Sequence, residues 1–192
     1  MKKISILLIA LSFFFVGEVK SQAFDVSMLD KAMGLLDKGN SKESSKVLGN
    51  AMSLLTKNTQ ASSGDFASKI IGQAGNLMKM MPALEAGTAN IPGIQKIIQT
   101  IKTLYGAMQL NQMVKGGNLL GNTSSLLSNV NLLKSGMSMF EGGKSVDKIT
   151  KSLDKVIKKA PKLDKTGWGA KMAQKAISKK LGTSLTLLNG LI

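Results

Sequence analysis

The sequence predicts an all-α protein: an irregular bundle of about seven amphipathic helices following a cleaved signal peptide. Three observations predict it. Apolar residues recur at spacings of three and four through most of the chain, the period of one helix face. These recurrences are cut by Gly, Asn and Pro, the residues that end helices. Sustained two-residue alternation is missing, and runs of aromatic or β-branched residues are few. The 192 residues suffice for one ordinary domain and not for two well-filled ones.

The first 23 residues read as a secretory signal. Lys2 and Lys3 precede an apolar stretch over residues 4–16, and Ser21-Gln22-Ala23 forms a small-x-small cleavage site. A cut after Ser21 is equally legal. The apolar stretch is short of the roughly 20 residues that span a bilayer, which favours cleavage over anchoring. Removing it takes away Lys2, Lys3, Lys20 and Glu18, leaving one helical domain over residues 24–192.

Within that domain the helices justify themselves in order. Ser27 and Asp30 make a capping-box-like start for a helix that buries Met28, Leu29, Ala32, Met33 and Leu36 and stops at Gly39-Asn40. Ser41 opens a second, with Val47, Leu48, Ala51, Met52 and Leu55 inward. Residues 58–64 are a polar loop. Asp65 then caps a third helix carrying Phe66, Ile70, Ile71, Ala74, Leu77, Met78 and Met81, which Pro82 helps to end. Pro92 is a first-turn residue for the most regular helix. Its inner face is Ile94, Ile97, Ile98, Ile101, Leu104, Tyr105 and Met108, its outer face Gln95, Lys96, Gln99, Lys102 and Thr103, and Gly116-Gly117 closes it. A fifth helix covers 123–140, and two more cover about 145–160 and 166–181, split by Pro161. The apolar residues 185–192 are expected to dock as a short last helix.

Two faint repeats run through this pattern. Residues 45–51 echo 68–74, and both place a Ser at a helix start and small residues one turn in, where two helices could approach closely. Residues 145–151 echo 152–158. Two copies do not make a stacked array. The 20 glycines, near 10% of the chain, weaken several helices by up to about 1 kcal/mol each relative to Ala, so these need packing, a membrane or a partner to stay formed.

Composition excludes most chemistry. Cys, His and Arg are absent, so all 26 basic residues are Lys, set against 11 acidic ones. There is no disulfide, no thiol nucleophile, no imidazole base and no Cys or His metal ligand. Gly143-Lys144 lacks the rest of a phosphate loop, and Gly167-Trp168-Gly169 reads as a helix-entry turn. Ser-x-x-Lys occurs at Ser145/Lys148 and Ser152/Lys155, but each Lys lies on the polar side of an amphipathic pattern, where it is solvated and charged. A hydrolase built on carboxylates alone is the one enzymatic reading left. No catalytic, cofactor or metal site is expected.

The features with functional content are methionine and lysine. Met78, Met80, Met81, Met137 and Met139 belong to a Met-rich, aromatic-poor set suited either to ordinary gap-filling or to a pliable groove for acyl chains or partner helices. Charge concentrates toward the end of the chain: residues 144–192 hold 12 Lys and three acids. On a helical wheel Val146, Ile149, Leu153, Val156, Ile157 and Ala160 share one arc, and Lys148, Lys151, Lys155, Lys158, Lys159 and Lys162 lie nearly opposite. Asp147 and Asp154 are spaced to pair with Lys151 and Lys158.

Lys148, Lys151, Lys155, Lys158 and Lys159 are therefore the candidate anion-binding residues. The plain alternative is a solvated face that keeps an exported protein soluble. Lys acts as a point charge, without the bidentate fork of Arg, so diffuse attraction to lipid head groups, cell-wall polymer or non-specific nucleic acid is expected rather than sequence reading. The expectation is a secreted or periplasmic, non-enzymatic binding protein, with no cofactor and no small-molecule substrate; a protein partner stays open. The alternative is a membrane-active protein, a pore former or lipid carrier, whose Gly- and Met-rich helices open against lipid.

Overall fold

Glycine sets the ends of three helices in one and the same way. The computed structural model describes residues 24–60, 62, 64–140 and 143–192, so the signal segment expected at 1–23 lies outside the described residues. Helix α1 (Ser27–Asp37), α3 (Asp65–Glu85) and α4 (Ile91–Lys115) each run into a glycine of positive φ: Gly39 at 77°, Gly87 at 72° and Gly117 at 68°. In each case the glycine N–H donates to the carbonyl three residues back, and the next N–H donates to the carbonyl five back. Asn40 to Leu35, at 2.8 Å, is one example. This is the Schellman closure, which demands the left-handed conformation that glycine adopts without penalty.

The remaining helices are α2 (Ser41–Gln60), α5 (Thr123–Gly136), α6 (Lys144–Lys159) and α7 (Trp168–Asn189). Short 3₁₀ segments at Met137–Met139 and Ala160–Asp164 follow α5 and α6. Seven α-helices and no strand are present among the described residues, the all-α architecture that the apolar spacing predicts. Chain order is packing order at the start, with α1 on α2, α2 on α3, α3 on α4 and α4 on α5. Helices α6 and α7 pair with each other, α6 also rests on α5, and α7 returns to touch α4.

Helix α4 is thus the central element, with α1, α3, α5 and α7 around it. Ile101, Lys102, Thr103 and Leu104 are four consecutive buried residues, covering the whole circumference of one turn. This corrects the expected polar face of α4. Lys102 is only 8% exposed, and its ammonium is held by the carboxylate of Asp30 on α1. Asp30 therefore does not complete a capping box at the start of α1, which has no side-chain cap at Val26.

Thr103 is buried because α5 comes unusually close. Its Oγ1 donates to the Gln99 carbonyl at 2.8 Å, inside its own helix. A Cβ built on Gly136 of α5 would sit 1.6 Å from that Oγ1. A Cβ on Gly106 of α4 would meet the Asn129 carbonyl oxygen at 3.0 Å. Glycine at both places is what lets the two helices reach this separation. Of the small residues in the first repeat, Ala51 and Ala74 are buried, whereas Gly49 and Gly72 are exposed with nothing within 4 Å of an added Cβ.

Four further expectations shift. Helix α3 continues through Pro82 to Glu85. The hydrogen bond that Pro82 cannot donate would go to the Met78 carbonyl, and both residues are on the exposed side, where water can replace it. Ile71 and Met78, expected inward, are 39% and 52% exposed. Asp65 is the first residue of α3 rather than its cap, and its carboxylate accepts from Asn189 Nδ2 at 2.9 Å. Asn189 ends an α7 that runs unbroken for 22 residues, so residues 185–189 extend α7 and do not form a separate helix. The reason is the stripe Ala170, Ala173, Ile177, Leu181, Leu185 and Leu188, whose packing carries the helix across Gly182.

Candidate functional site

The candidate surface is built on α6. Ile149, Leu153 and Val156 are buried, with Ala160 continuing their line, and Val146 and Ile157 are half-buried beside them. Packing of this stripe against α7 and α5 fixes the rotation of the helix. The opposite arc must then face outward. Lys148, Lys151, Lys155, Lys158, Lys159 and Lys162 are all exposed. The structure thus brings the five predicted anion-binding lysines to one outer face.

The expected pairing of this face with its own acids does not form. Asp154 is engaged by Lys134 of α5, with Nζ 2.6 Å from Oδ1, instead of by Lys158. Asp147 makes no ion pair with Lys151. A cross-helix partner wins for Asp154 because α5 lies beside α6 and points Lys134 at it; the wheel of a single helix cannot contain that neighbour. Among the described residues no lysine of the α6 arc is in an ion pair.

Two shallow depressions open on the surface. One, of about 420 Å³, lies between Leu120, Leu163, Lys165, Gly167 and Ala170. The other, of about 340 Å³, lies where the start of α3 meets the end of α7, around Phe66, Val114, Leu185 and Asn189. Each contains one carboxylate that already has a donor. Asp164 accepts from Thr123 Oγ1 at 2.7 Å, and Asp65 from Asn189. Neither is lined by methionine. Met52, Met108 and Met137 fill the core, and Met78 is exposed, so the methionines are spread between core and surface. No group of three or more acidic side chains suited to a metal ion occurs among the described residues.

Among the described residues one titratable group is displaced from its ordinary range. Burial raises the phenol of Tyr105 above the usual value near 10. A hydrogen bond with Gln109 works against that rise, and the negative charge of Asp25 adds to it. The ring packs edge-on against Phe24, with centroids 4.9 Å apart. It is a feature of the α1–α4 seam, away from α6.

Residues that the single-helix reading passed over stand at the start of α7. Gly167, at a φ of 86°, turns the chain into the helix, as expected of a helix-entry glycine. Trp168, which it introduces, is left 77% exposed, and Met172 one turn later is 49% exposed. Their signal was present as an i, i+4 pair on the side opposite Ala170, Ala173 and Ile177. No helix among the described residues is long and apolar enough to cross a membrane. Comparison with protein-family models, with curated proteins and with solved structures finds no match for this chain.

Proposed function

We propose that this is an exported, non-enzymatic binding protein that docks on an anionic envelope or extracellular surface through the lysine face of α6. The observation that carries the proposal is the exposure of Lys148, Lys151, Lys155, Lys158 and Lys159 on one face, with no ion pair among the described residues. Near an anionic membrane each adds about 1 kcal/mol, so five together hold the protein there without a pocket. Export is supported by the charged, apolar and small-residue order of residues 1–23.

The test is to replace Lys151, Lys155 and Lys158 with Gln and to sediment both proteins with anionic and neutral vesicles. The wild type is expected to prefer anionic vesicles and to release them as salt rises, because attraction is screened over about 8 Å at physiological ionic strength. The variant is expected to bind less. Equal binding by the two proteins would reduce the stripe to a solubilising face.

A second reading, a pore former or lipid carrier, draws on the glycines inside helices. Gly34, Gly49, Gly72, Gly75 and Gly182 have nothing within 4 Å of an added Cβ, so they weaken their helices by about 1 kcal/mol each without improving any contact. Helices of that kind open at lower cost against lipid. Rapid dye leakage from anionic vesicles would favour this reading, and a surface binder leaves them intact.

A further inference from the structure

We infer that the corner where α6 turns into α7 is a bilayer-docking surface, in which Trp168 enters the headgroup region of an anionic phospholipid membrane and the surrounding lysines hold it there. The inference rests on the anionic-surface reading and narrows that surface to a lipid bilayer.

Trp168 stands apart from the other aromatic side chains of the domain. Phe24 and Phe66 are buried, and Tyr105 and Phe140 are half-buried, yet the largest apolar side chain of the chain is 77% exposed. It is joined by Met172 one turn on. Lys171 and Lys175 follow Trp168 by three and seven residues, on the same side of α7, and both are exposed. Ala170, Ala173 and Ile177 are buried on the opposite side, so Trp168 cannot turn inward without unpacking α7.

The approach to this residue is basic. Lys158, Lys159, Lys162 and Lys165 are exposed within ten residues upstream. Residues 158–175 hold six Lys and one Asp, and that Asp164 is bonded to Thr123. The surface therefore combines a concentrated positive charge with an aromatic and a thioether tip.

Complementarity selects the occupant. A polyphosphate or cell-wall polyanion satisfies the lysines and leaves Trp168 in water, and a single-stranded nucleic acid calls for a row of exposed aromatics where Trp168 stands alone among the described residues. A second copy of the corner would bring six lysines against six. A bilayer interface presents negative head groups directly above hydrocarbon, and Trp is the side chain that settles at that level. No described helix is long and apolar enough to span, so the docking is peripheral.

Trp168 is the only Trp in the chain, so its fluorescence reports from this corner alone. The mature protein is titrated with phosphatidylcholine vesicles, with vesicles containing phosphatidylglycerol, and with soluble polyphosphate. Blue-shifted emission and protection from acrylamide are expected with the phosphatidylglycerol vesicles only. Trp168→Ala, whose folding is checked by circular dichroism, is expected to lower vesicle affinity about tenfold, and Trp168→Phe to retain most of it.

Unchanged emission on bound vesicles, with Trp168→Ala binding as tightly as wild type, would overturn the insertion and leave the lysine surface standing. Binding to polyphosphate without binding to vesicles would do the same. Binding to neither would overturn both readings.

Discussion

Replacing Gly136 with Ala changes one hydrogen for a methyl group at the tightest point of the bundle. The new Cβ would lie 1.6 Å from Thr103 Oγ1, 2.8 Å from its Cβ and 3.0 Å from its Cγ2. Rotating Thr103 about χ1 moves the hydroxyl away, at the loss of its bond to the Gln99 carbonyl. It leaves the Thr103 Cβ in place, still nearer than van der Waals contact allows. The backbones of α4 and α5 must therefore separate, which loosens the packing of the Leu133 and Val130 layer on α4. Overpacking of this kind costs about 1–3 kcal/mol. A contact as short as this belongs at or above the upper end, and Ala returns about 1 kcal/mol of helix propensity.

The net expectation is a loss of about 2 kcal/mol, or a fall in Tm of about 4–8 °C for a domain of this size. Circular dichroism at 222 nm during thermal and urea unfolding of residues 24–192 measures it. Gly72→Ala is the internal control. Its added methyl meets nothing within 4 Å, so the same substitution is expected to stabilise by about 0.5–1 kcal/mol. Thr103→Ala in the Gly136→Ala background removes two of the three clashing atoms. It is expected to recover about half of the loss, a coupling that separate sites would not show. Gly136→Ala as stable as wild type, or a similar fall for Gly72→Ala, would show that the Gly136–Thr103 contact does not set the helix separation.

Three other outcomes are expected. Asp30→Asn leaves the buried Lys102 ammonium without its counter-ion and should cost about 2 kcal/mol in urea unfolding, whereas Asp154→Asn, at a half-exposed pair, should cost under about 0.5 kcal/mol. Adding Lys102→Met to Asp30→Asn should return most of the first loss. Tyr105 is the only Tyr, so absorbance at 295 nm should show phenolate forming above the usual pH of about 10 in the folded protein. Because its folded pKa is raised above the unfolded one, its contribution to stability is complete below about pH 10 and lost as pH rises through the folded value. Tyr105→Phe should lose less stability than wild type over that alkaline range. Intact mass of the secreted protein should correspond to a start at residue 22 or 24, and a full-length mass recovered from membranes would contradict export.

Much of the fold was legible because it is local. Gly39 and Gly117 ended helices where the sequence placed the stops, since a left-handed residue closes a helix whatever packs against it. The apolar arc of α6 was legible for a related reason. Ile149, Leu153 and Val156 alternate with Lys so regularly that only one rotation buries the first set and hydrates the second. The lysine face followed from that rotation, residue by residue.

The helical class, most helix ends and the outward lysines could be read from residue order alone, because each depends on neighbours within a few residues. What lies opposite each face came with the packing of the bundle. It surrounded α4, so that Lys102 and Thr103 became buried against a polar-face expectation. It brought Gly136 onto Thr103, a contact between residues more than 30 positions apart that no helical wheel contains. It gave Asp154 to Lys134 instead of to a lysine of its own helix, carried α7 across Gly182 into the tail, and left Trp168 facing out. The physical reason is the same in every case. Periodicity orders residues around one axis, but burial and pairing are set by the distances between axes, and those are fixed only when all seven helices pack at once.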